Sequence, residues 1–241
     1  MSKMIDCPVC AGHSFSHLFT KQNEDFVVCD SCGLMLINPR PAMQLVKETY
    51  DQDYSEHYIQ KAEKKLKRCA NWVARVKKQF QPTGRWLDVG CSAGFVVKAA
   101  EQAGFDAYGV ELERAAVNYA SEHLNLSQVR AGTLEEQQYP DNYFDVISMY
   151  DVIEHVPNLN SIVAELKRLL RADGVIEIRT PDLGHWQTPK VLSNWKEVKP
   201  SEHLYYFDKR TLVQLFSNHQ LRLKKRRVMF KPALDMFFSI A

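Results

Sequence analysis

Four cysteines near the N-terminus stand as two pairs, Cys7-x-x-Cys10 and Cys29-x-x-Cys32, with eighteen residues between them. Each pair sets two thiols on one tight turn, and the interval falls inside the spacing of a four-thiolate zinc site. Gly33, just past the second pair, suits the backbone of such a turn. Four protein ligands close the tetrahedron, so an ion held this way is structural. Free or redox-active thiols are the competing reading, and His13 or His17 replacing one thiolate is a variant of the first. A segment of about forty residues buries too little apolar surface to fold alone, which gives a metal a physical purpose. Cys69 and Cys91 stand apart from this set.

The run Trp86-Leu87-Asp88-Val89-Gly90-Cys91-Ser92-Ala93-Gly94-Phe95 leads an apolar strand into an acid and a glycine-rich turn that opens a helix. Gly90 and Gly94 let backbone approach a ligand closely, and the helix N-terminus presents unpaired N–H groups. Glu111 lies twenty-one residues beyond Gly90, at the end of the next strand, where a carboxylate can accept both hydroxyls of a ribose. This pattern is a nucleotide-type cofactor loop; a plain tight turn with a surface Glu is the bland alternative. Dinucleotide loops read G-x-G-x-x-G, whereas this one reads D-x-G-x-x-x-G, with Ser92 at the place of a middle glycine. A carboxylate at Asp88 suits a cationic ligand better than a pyrophosphate.

On these residues the chain resembles class I S-adenosylmethionine-dependent methyltransferases. Residues 87–94 resemble motif I of that family, and Gly109-Val110-Glu111 resembles motif II. Gly132-Thr133-Leu134-Glu135, followed by Tyr143-Phe144-Asp145-Val146-Ile147, resembles the segment that covers adenine and enters the fourth strand. Met149-Tyr150-Asp151-Val152-Ile153-Glu154-His155-Val156-Pro157 resembles the stretch after that strand, and residues 169–174 the turn before the fifth. The stretches 32–41, 50–54 and 201–207 narrow the likeness to a bacterial subgroup with a zinc ribbon ahead of the methyltransferase domain. The resemblance implies S-adenosylmethionine as cofactor, bordered by Asp88, Gly90 and Gly94 at its methionine half, by the backbone of Cys91, by Glu111 at the ribose, and by Leu112, Thr133 and Leu134 at the adenine. Zinc is implied at Cys7, Cys10, Cys29 and Cys32.

Methyl transfer to a hydroxyl needs a base, and His155 stands just past the carboxyl edge of a strand, where open α/β sheets bind ligands. Its alternative is a helix-start histidine that bonds backbone and orders the loop. His203, in Glu202-His203-Leu204-Tyr205, is the second candidate, against simple packing with Tyr205 and Phe207. Asp151 either positions the acceptor or the cofactor amine, or caps the helix that follows. Residues 183–200 hold Trp186, Trp195 and no helical periodicity, which suits a lid or an acceptor loop, or core packing by the two tryptophans.

The elements that must position these groups follow from pattern. Strands are expected at 85–89, 107–111, 127–131, 144–149 and 175–180, with helices at 94–103, 114–123, 159–170 and 209–218. That alternation predicts a doubly wound, mostly parallel α/β sheet of the Rossmann-like methyltransferase type behind a small N-terminal ribbon. A sixth strand is expected within 221–230, and the eleven residues that follow look short for a seventh. Expected units are a zinc ribbon at 1–40, a connecting segment with a basic amphipathic helix at 41–81, and the cofactor domain at 82–241. The helix carries Lys61, Lys64, Lys65, Lys67, Arg68, Arg75, Lys77 and Lys78 on its polar face, and Tyr54 ahead of it is a candidate to close over the cofactor.

Composition bounds the partners. In 241 residues, 31 basic side chains face 29 acidic ones, a balance that excludes polyanion binding by bulk charge. No stretch reaches the ~18 apolar residues of a membrane span and no apolar leader opens the chain, so a cytoplasmic protein is expected, with no membrane partner. The function expected is O-methylation of a small hydroxylated intermediate such as a sugar derivative. An RNA methyltransferase gripping phosphates with the ribbon and basic helix is the second reading, and a non-catalytic cofactor-binding scaffold the third. Oligomeric state is open.

Overall fold

The computed structural model describes residues 3–40 and 62–241. Tyr54, Lys61 and the segments 41–61 lie outside the described residues. Strands β1 (Phe15–Lys21) and β2 (Glu24–Cys29) form a hairpin. Its turn residues Gln22 and Asn23 both have positive φ, 50° and 62°, the sense of turn that matches strand twist. Strand β3 (Met35–Ile37) adds antiparallel to β2. The fourth strand of this sheet comes from far along the chain: β9 (Tyr205–Tyr206) pairs with β3, setting Met35 opposite Tyr206 and Leu36 opposite Tyr205.

The second sheet has seven strands: β4 (Arg85–Val89), β5 (Asp106–Glu111), β6 (Val129–Ala131), β7 (Phe144–Tyr150), β8 (Leu170–Pro181), β10 (Leu221–Arg226) and β11 (Ala233–Ile240). Their order is β10-β11-β8-β7-β4-β5-β6, parallel from β8 to β6, with β11 antiparallel between β8 and β10. The final strand pair is therefore complete. Strand β10 stops at Arg226 instead of running to 230, which frees the residues after it for the turn into β11. Strand β8 starts at Leu170, pairing it with Phe144, where sequence pattern placed a turn.

Period-two alternation sends the strands' apolar residues to two faces. On one face Trp86, Val146, Val175 and Phe237 pack with helices α1 (Ala62–Phe80), α2 (Phe95–Gln102) and α3 (Arg114–Leu124). On the other, Leu87, Val89, Ile147 and Met149 pack with α4 (Leu159–Leu169) and α5 (Lys209–Asn218). The basic helix is thus part of the cofactor domain's wall: α1 buries Cys69, Val73 and Val76 against the sheet. Part of its basic face is spent locally, with Arg68 stacked on Trp72 and Lys77 donating to the Ala103 carbonyl at 2.6 Å.

The N-terminal segment packs into the second face without a break. Val9, Val27, Leu34 and Leu36 share one core with Leu204, Tyr205, Leu212 and Phe216. Arg210 donates to the Cys32 carbonyl at 2.8 Å, Asn218 to that of Val9 at 2.6 Å, and the Arg40 guanidinium stacks 4.0 Å over Tyr205. Because Leu36 is fully buried in this shared core, Leu36→Ala should destabilise the protein by about 2–5 kcal/mol in a single transition, seen alike by tryptophan fluorescence and far-ultraviolet circular dichroism. Two separated transitions would mean that the ribbon unfolds independently.

Candidate functional site

The four cysteines converge. Sγ of Cys7 lies 3.5 Å from Sγ of Cys32, and Sγ of Cys10 lies 3.5 Å from that of Cys29. All four sulfurs fall within 4.8 Å of one another. These separations exceed a disulfide's ~2 Å and approach the ~3.7 Å edge of a tetrahedron with ~2.3 Å zinc–sulfur bonds. Backbone N–H groups of Val9 and Cys10 point at Cys7, and that of Leu34 at Cys32, as suits thiolates at a metal. Burial raises the Cys29 thiol, but N–H groups of Cys32 and Ser31 outweigh it and bring it down to about 7. A side chain at Gly12 would crowd Sγ of Cys10 and of Cys29 at 3.2 and 3.3 Å. The donor set is compatible with zinc. His13 and His17 stay outside it, bonded to Asp6 and Thr20.

The cofactor loop follows β4. Gly90, Ser92 and Gly94 all take positive φ, 68°, 50° and 80°. Glycine is required at the first for a second reason: a Cβ there would sit 2.4 Å from Val152 in the loop after β7. The loops after β4 and β7 therefore touch. Glu111 holds the loop's shape, accepting from the Ser92 N–H at 2.8 Å and, through its other oxygen, from the Glu113 N–H at 3.1 Å. Next to it Leu112 is 69% exposed, an apolar surface beside the Glu111 carboxylate. Cys91 turns its thiol inward over Gly109, where a Cβ would meet Sγ at 2.7 Å, so only its backbone faces the loop. Thr133 and Glu136 cap each other's N–H groups at 3.3 and 2.7 Å, and Leu134 sends its side chain into the core, so only its backbone faces outward.

Asp88 is buried to 3% exposure beneath the loop, in a relay that sequence reading missed. Trp86 Nε1–H donates to Ser148 Oγ at 2.9 Å, and that hydroxyl donates to Asp88 Oδ1 at 2.5 Å. Burial, with a smaller contribution from Glu111, pushes the Asp88 carboxyl up to about 7 against the pull of the Ser148 bond. The available signal was a lone serine in the apolar strand β7, in register with Asp88. A second polar row follows: Tyr150 donates to Glu177, Arg179 pairs with Asp235 at 3.1 Å, and Trp72 of α1 stacks 4.1 Å from Arg179.

At the carboxyl edge of β7 the two candidate bases meet. The rings of His155 and His203 lie 4.6 Å apart, edge to face. Each ring bonds a backbone carbonyl, that of Glu202 for His155 and that of Glu197 for His203. Burial lowers their affinity for protons to about 4 and about 3, so the ordinary imidazole value does not apply here. Glu154, which sequence reading passed over, is buried beside them and accepts from Thr180 Oγ1 at 2.9 Å; burial pushes it up to about 8. Its signal was an acid between Ile153 and His155 in an otherwise apolar turn. Asp151 is exposed with φ 56°, and the cap of α4 is Asn158, which accepts from the Ser161 N–H at 3.2 Å. The capping reading of Asp151 therefore falls.

The segment 183–200 divides. Trp195 is buried with Phe26, Met35, Ile37 and Tyr206, and Lys21 of β1 donates to the carbonyls of Ser193 and Val198 at 3.4 and 3.0 Å. Trp186 stays 77% exposed. The half of this segment nearest His203 thus rests on the ribbon.

The sheet order, the antiparallel seventh strand and a glycine-rich loop after β4 define the Rossmann-like fold of class I S-adenosylmethionine-dependent methyltransferases. Solved structures agree: a protein of Pyrococcus horikoshii superposes with a TM-score of 0.60 at 16% identity, over 78% of this chain and 94% of its own. An S-adenosylmethionine-dependent methyltransferase of Clostridium acetobutylicum gives 0.59 at 11%, over 79% and 93%. The methyltransferase domain family matches residues 54–225, and the chain belongs to it. Curated relatives include ubiquinone biosynthesis O-methyltransferases of Methylococcus capsulatus, 34% identical over 39% of this chain and 42% of that protein, and of Pasteurella multocida, 29% identical over 54% and 65%. The matches thus span less than two thirds of those relatives' length. Among the described residues no helix is long and apolar enough to cross a membrane.

Proposed function

We propose that the protein transfers the methyl group of S-adenosylmethionine to a hydroxyl of a small biosynthetic intermediate. The observation that carries this reading is the juxtaposition of the paired histidines with the cofactor loop: Gly90 packs on Val152, and Ile153–His155 is the next turn of chain. A nucleophile held between them meets the sulfonium in line, and its proton has neutral imidazoles nearby. The names of the curated relatives support oxygen as the methylated atom. A sugar derivative, as the sequence suggested, and a phenol are the acceptor classes to compare. Incubating the enzyme with labelled S-adenosylmethionine and a metabolite extract, then seeking a labelled methyl adduct by mass spectrometry, tests the reading; adducts confined to RNA would overturn it.

In this reading Asp88 faces the cofactor's ammonium, Gly90, Cys91 and Gly94 line its methionine half by backbone, Glu111 accepts from the ribose, and Leu112, Thr133 and Leu134 border the adenine. Asp151, exposed at the end of β7, positions the acceptor. Cys7, Cys10, Cys29 and Cys32 hold one structural zinc. Elemental analysis of Cys29→Ser should then find one equivalent of zinc fewer than in the parent protein; equal content would refute the assignment.

Glu111→Ala should raise the dissociation constant for S-adenosylmethionine at least tenfold in calorimetry, because two charge-assisted hydrogen bonds of about 1.5–3 kcal/mol each are lost, softened by replacement water. An unchanged constant would place the ribose elsewhere.

Asp88 yields a pH signature. Its folded value of about 7 exceeds the ordinary 3.8, so the folded state holds the proton more tightly and stability falls as pH rises from about 4 through 7. Cofactor binding runs the other way, since only the carboxylate pairs with an ammonium. Affinity should therefore tighten from pH 6 to pH 8, while Asp88→Asn flattens that slope and raises the melting temperature of the ligand-free protein at pH 8. A slope that survives the substitution would assign the titration to another group.

A further inference from the structure

We infer that Glu154, His155 and His203 form a second metal centre, distinct from the cysteines, which binds one divalent transition-metal ion with a coordination position open towards the acceptor. This deepens the methyltransferase reading of the same site and rests on it for its catalytic purpose, though not for the binding itself.

The geometry is that of a ligand set. One donor atom from each residue lies within 4.8 Å of the other two. Donors at the corners of a tetrahedron with ~2.1 Å bonds stand about 3.4 Å apart, so atoms at the outer limit of this cluster close on a cation by approaching each other by roughly 1.4 Å. Two of its polar atoms have no other employment: among the described residues, Oε1 of Glu154 and Nδ1 of His203 are buried without a hydrogen-bond partner. Both residues are almost wholly buried, at 1% and 3% exposure, so neither atom is compensated by bulk water.

The surrounding bonds select which atoms remain available. Thr180 Oγ1 occupies Oε2 of Glu154 and leaves Oε1. Nδ1 of His203 is the ring nitrogen left without a partner, and the backbone of Glu197 and of Glu202 bonds the His203 and His155 rings. One outer partner per ligand, fixing carboxylate orientation and imidazole tautomer, is the support that metal ligands ordinarily receive.

Two imidazoles and one carboxylate suit zinc, cobalt or ferrous iron, and three protein ligands leave room for a further oxygen. That oxygen is the acceptor's. Bound there, its hydroxyl releases its proton to solvent at a lower pH than it would free. The oxygen lone pair then forms the bond to the methyl carbon while the sulfur–methyl bond breaks, its electron pair staying on sulfur to give S-adenosylhomocysteine. The ion thus supplies the deprotonation for which the histidine pair was first considered.

The probe is Co²⁺ alone, titrated into the full chain with its cysteine centre saturated by zinc, and followed by visible absorption. Cobalt binds nitrogen and oxygen sites with weak ligand-field bands, whereas entry into the cysteine centre would show as intense thiolate charge-transfer bands. One equivalent bound without thiolate bands is expected, weakened at least tenfold by Glu154→Gln and by His203→Ala. Thr180→Val, which touches no proposed ligand atom, should weaken it by about ten- to a hundredfold. Binding of S-adenosylhomocysteine, measured by calorimetry on each variant, reports that the fold is retained. Failure to bind this second equivalent, or equal binding by parent and by folded Glu154→Gln, overturns the site. Cobalt binding without any S-adenosylhomocysteine binding in the parent would instead overturn the methyltransferase reading and leave the metal centre standing.

Discussion

The backbone of Leu204 is hydrogen-bonded on both sides. Its N–H donates to the Glu154 carbonyl at 2.8 Å, and its carbonyl accepts from the Ile37 N–H at 3.1 Å and from Arg40 at 3.0 Å. One residue thereby ties the turn after β7, which carries Glu154 and His155, to the ribbon strand β3. His203 immediately precedes it and the two-residue strand β9 immediately follows. A strand that short has no stability of its own. It persists because β3 is already anchored by the β1–β2 hairpin and because the two cysteine turns close the other end of the ribbon. The position of His203 against His155 is thus inherited from the N-terminal forty residues, and the ribbon backs the turn that carries Glu154 and His155.

That backing explains why a small four-cysteine module shares a core with the methyltransferase sheet. Class I sheets leave the edge beyond the parallel strands open to ligands, and the loops there must be held by something other than the sheet. Here Trp195 fills a pocket of Phe26, Met35, Ile37 and Tyr206, and Lys21 holds two carbonyls of the same loop. The exposed Trp186 lies on the part of the loop that this pinning does not reach.

Much of this was legible in the sequence. The cofactor loop was, because glycine at positive φ and an acid at a strand end leave local signatures; so was the cysteine centre, because thiolate spacing is read along the chain. The parallel sheet followed from alternating short apolar runs. What was hidden depends on register between distant strands. Ser148 becomes the partner of Asp88 only once β7 lies beside β4, and Glu154 becomes chemically interesting only once Thr180 and His203 arrive from elsewhere. The pairing of β9 with β3 joins residues some 170 apart, so no local pattern announces it, and a boundary drawn at the prolines after Ile37 marks a change of texture without marking a gap in the core. The last strand pair was undervalued for a simpler reason: β10 stops at Arg226 short of residue 230, so a six-residue connection leaves enough chain for β11.

The two clusters of side chains with the donors to hold a metal differ in a way that follows from their surroundings. Four cysteines on tight turns, three of them (Cys7, Cys29 and Cys32) receiving backbone N–H bonds, make a closed and soft donor set whose product is rigidity. The Glu154, His155 and His203 donors are harder, are supported by one outer bond apiece, and stand where the cofactor loop and the post-β7 turn touch. Burying three such groups costs stability unless something compensates their unpaired atoms. A chain selected for stability alone would place apolar side chains there, as it does at Ile153 and Leu204 on either side. Buried polar atoms without partners also occur at Arg40 and at Trp195 against the ribbon, but only those of Glu154 and His203 fall, among the described residues, within one histidine–carboxylate donor cluster at the carboxyl edge of the sheet, the place where a ligand is expected to supply the missing partners.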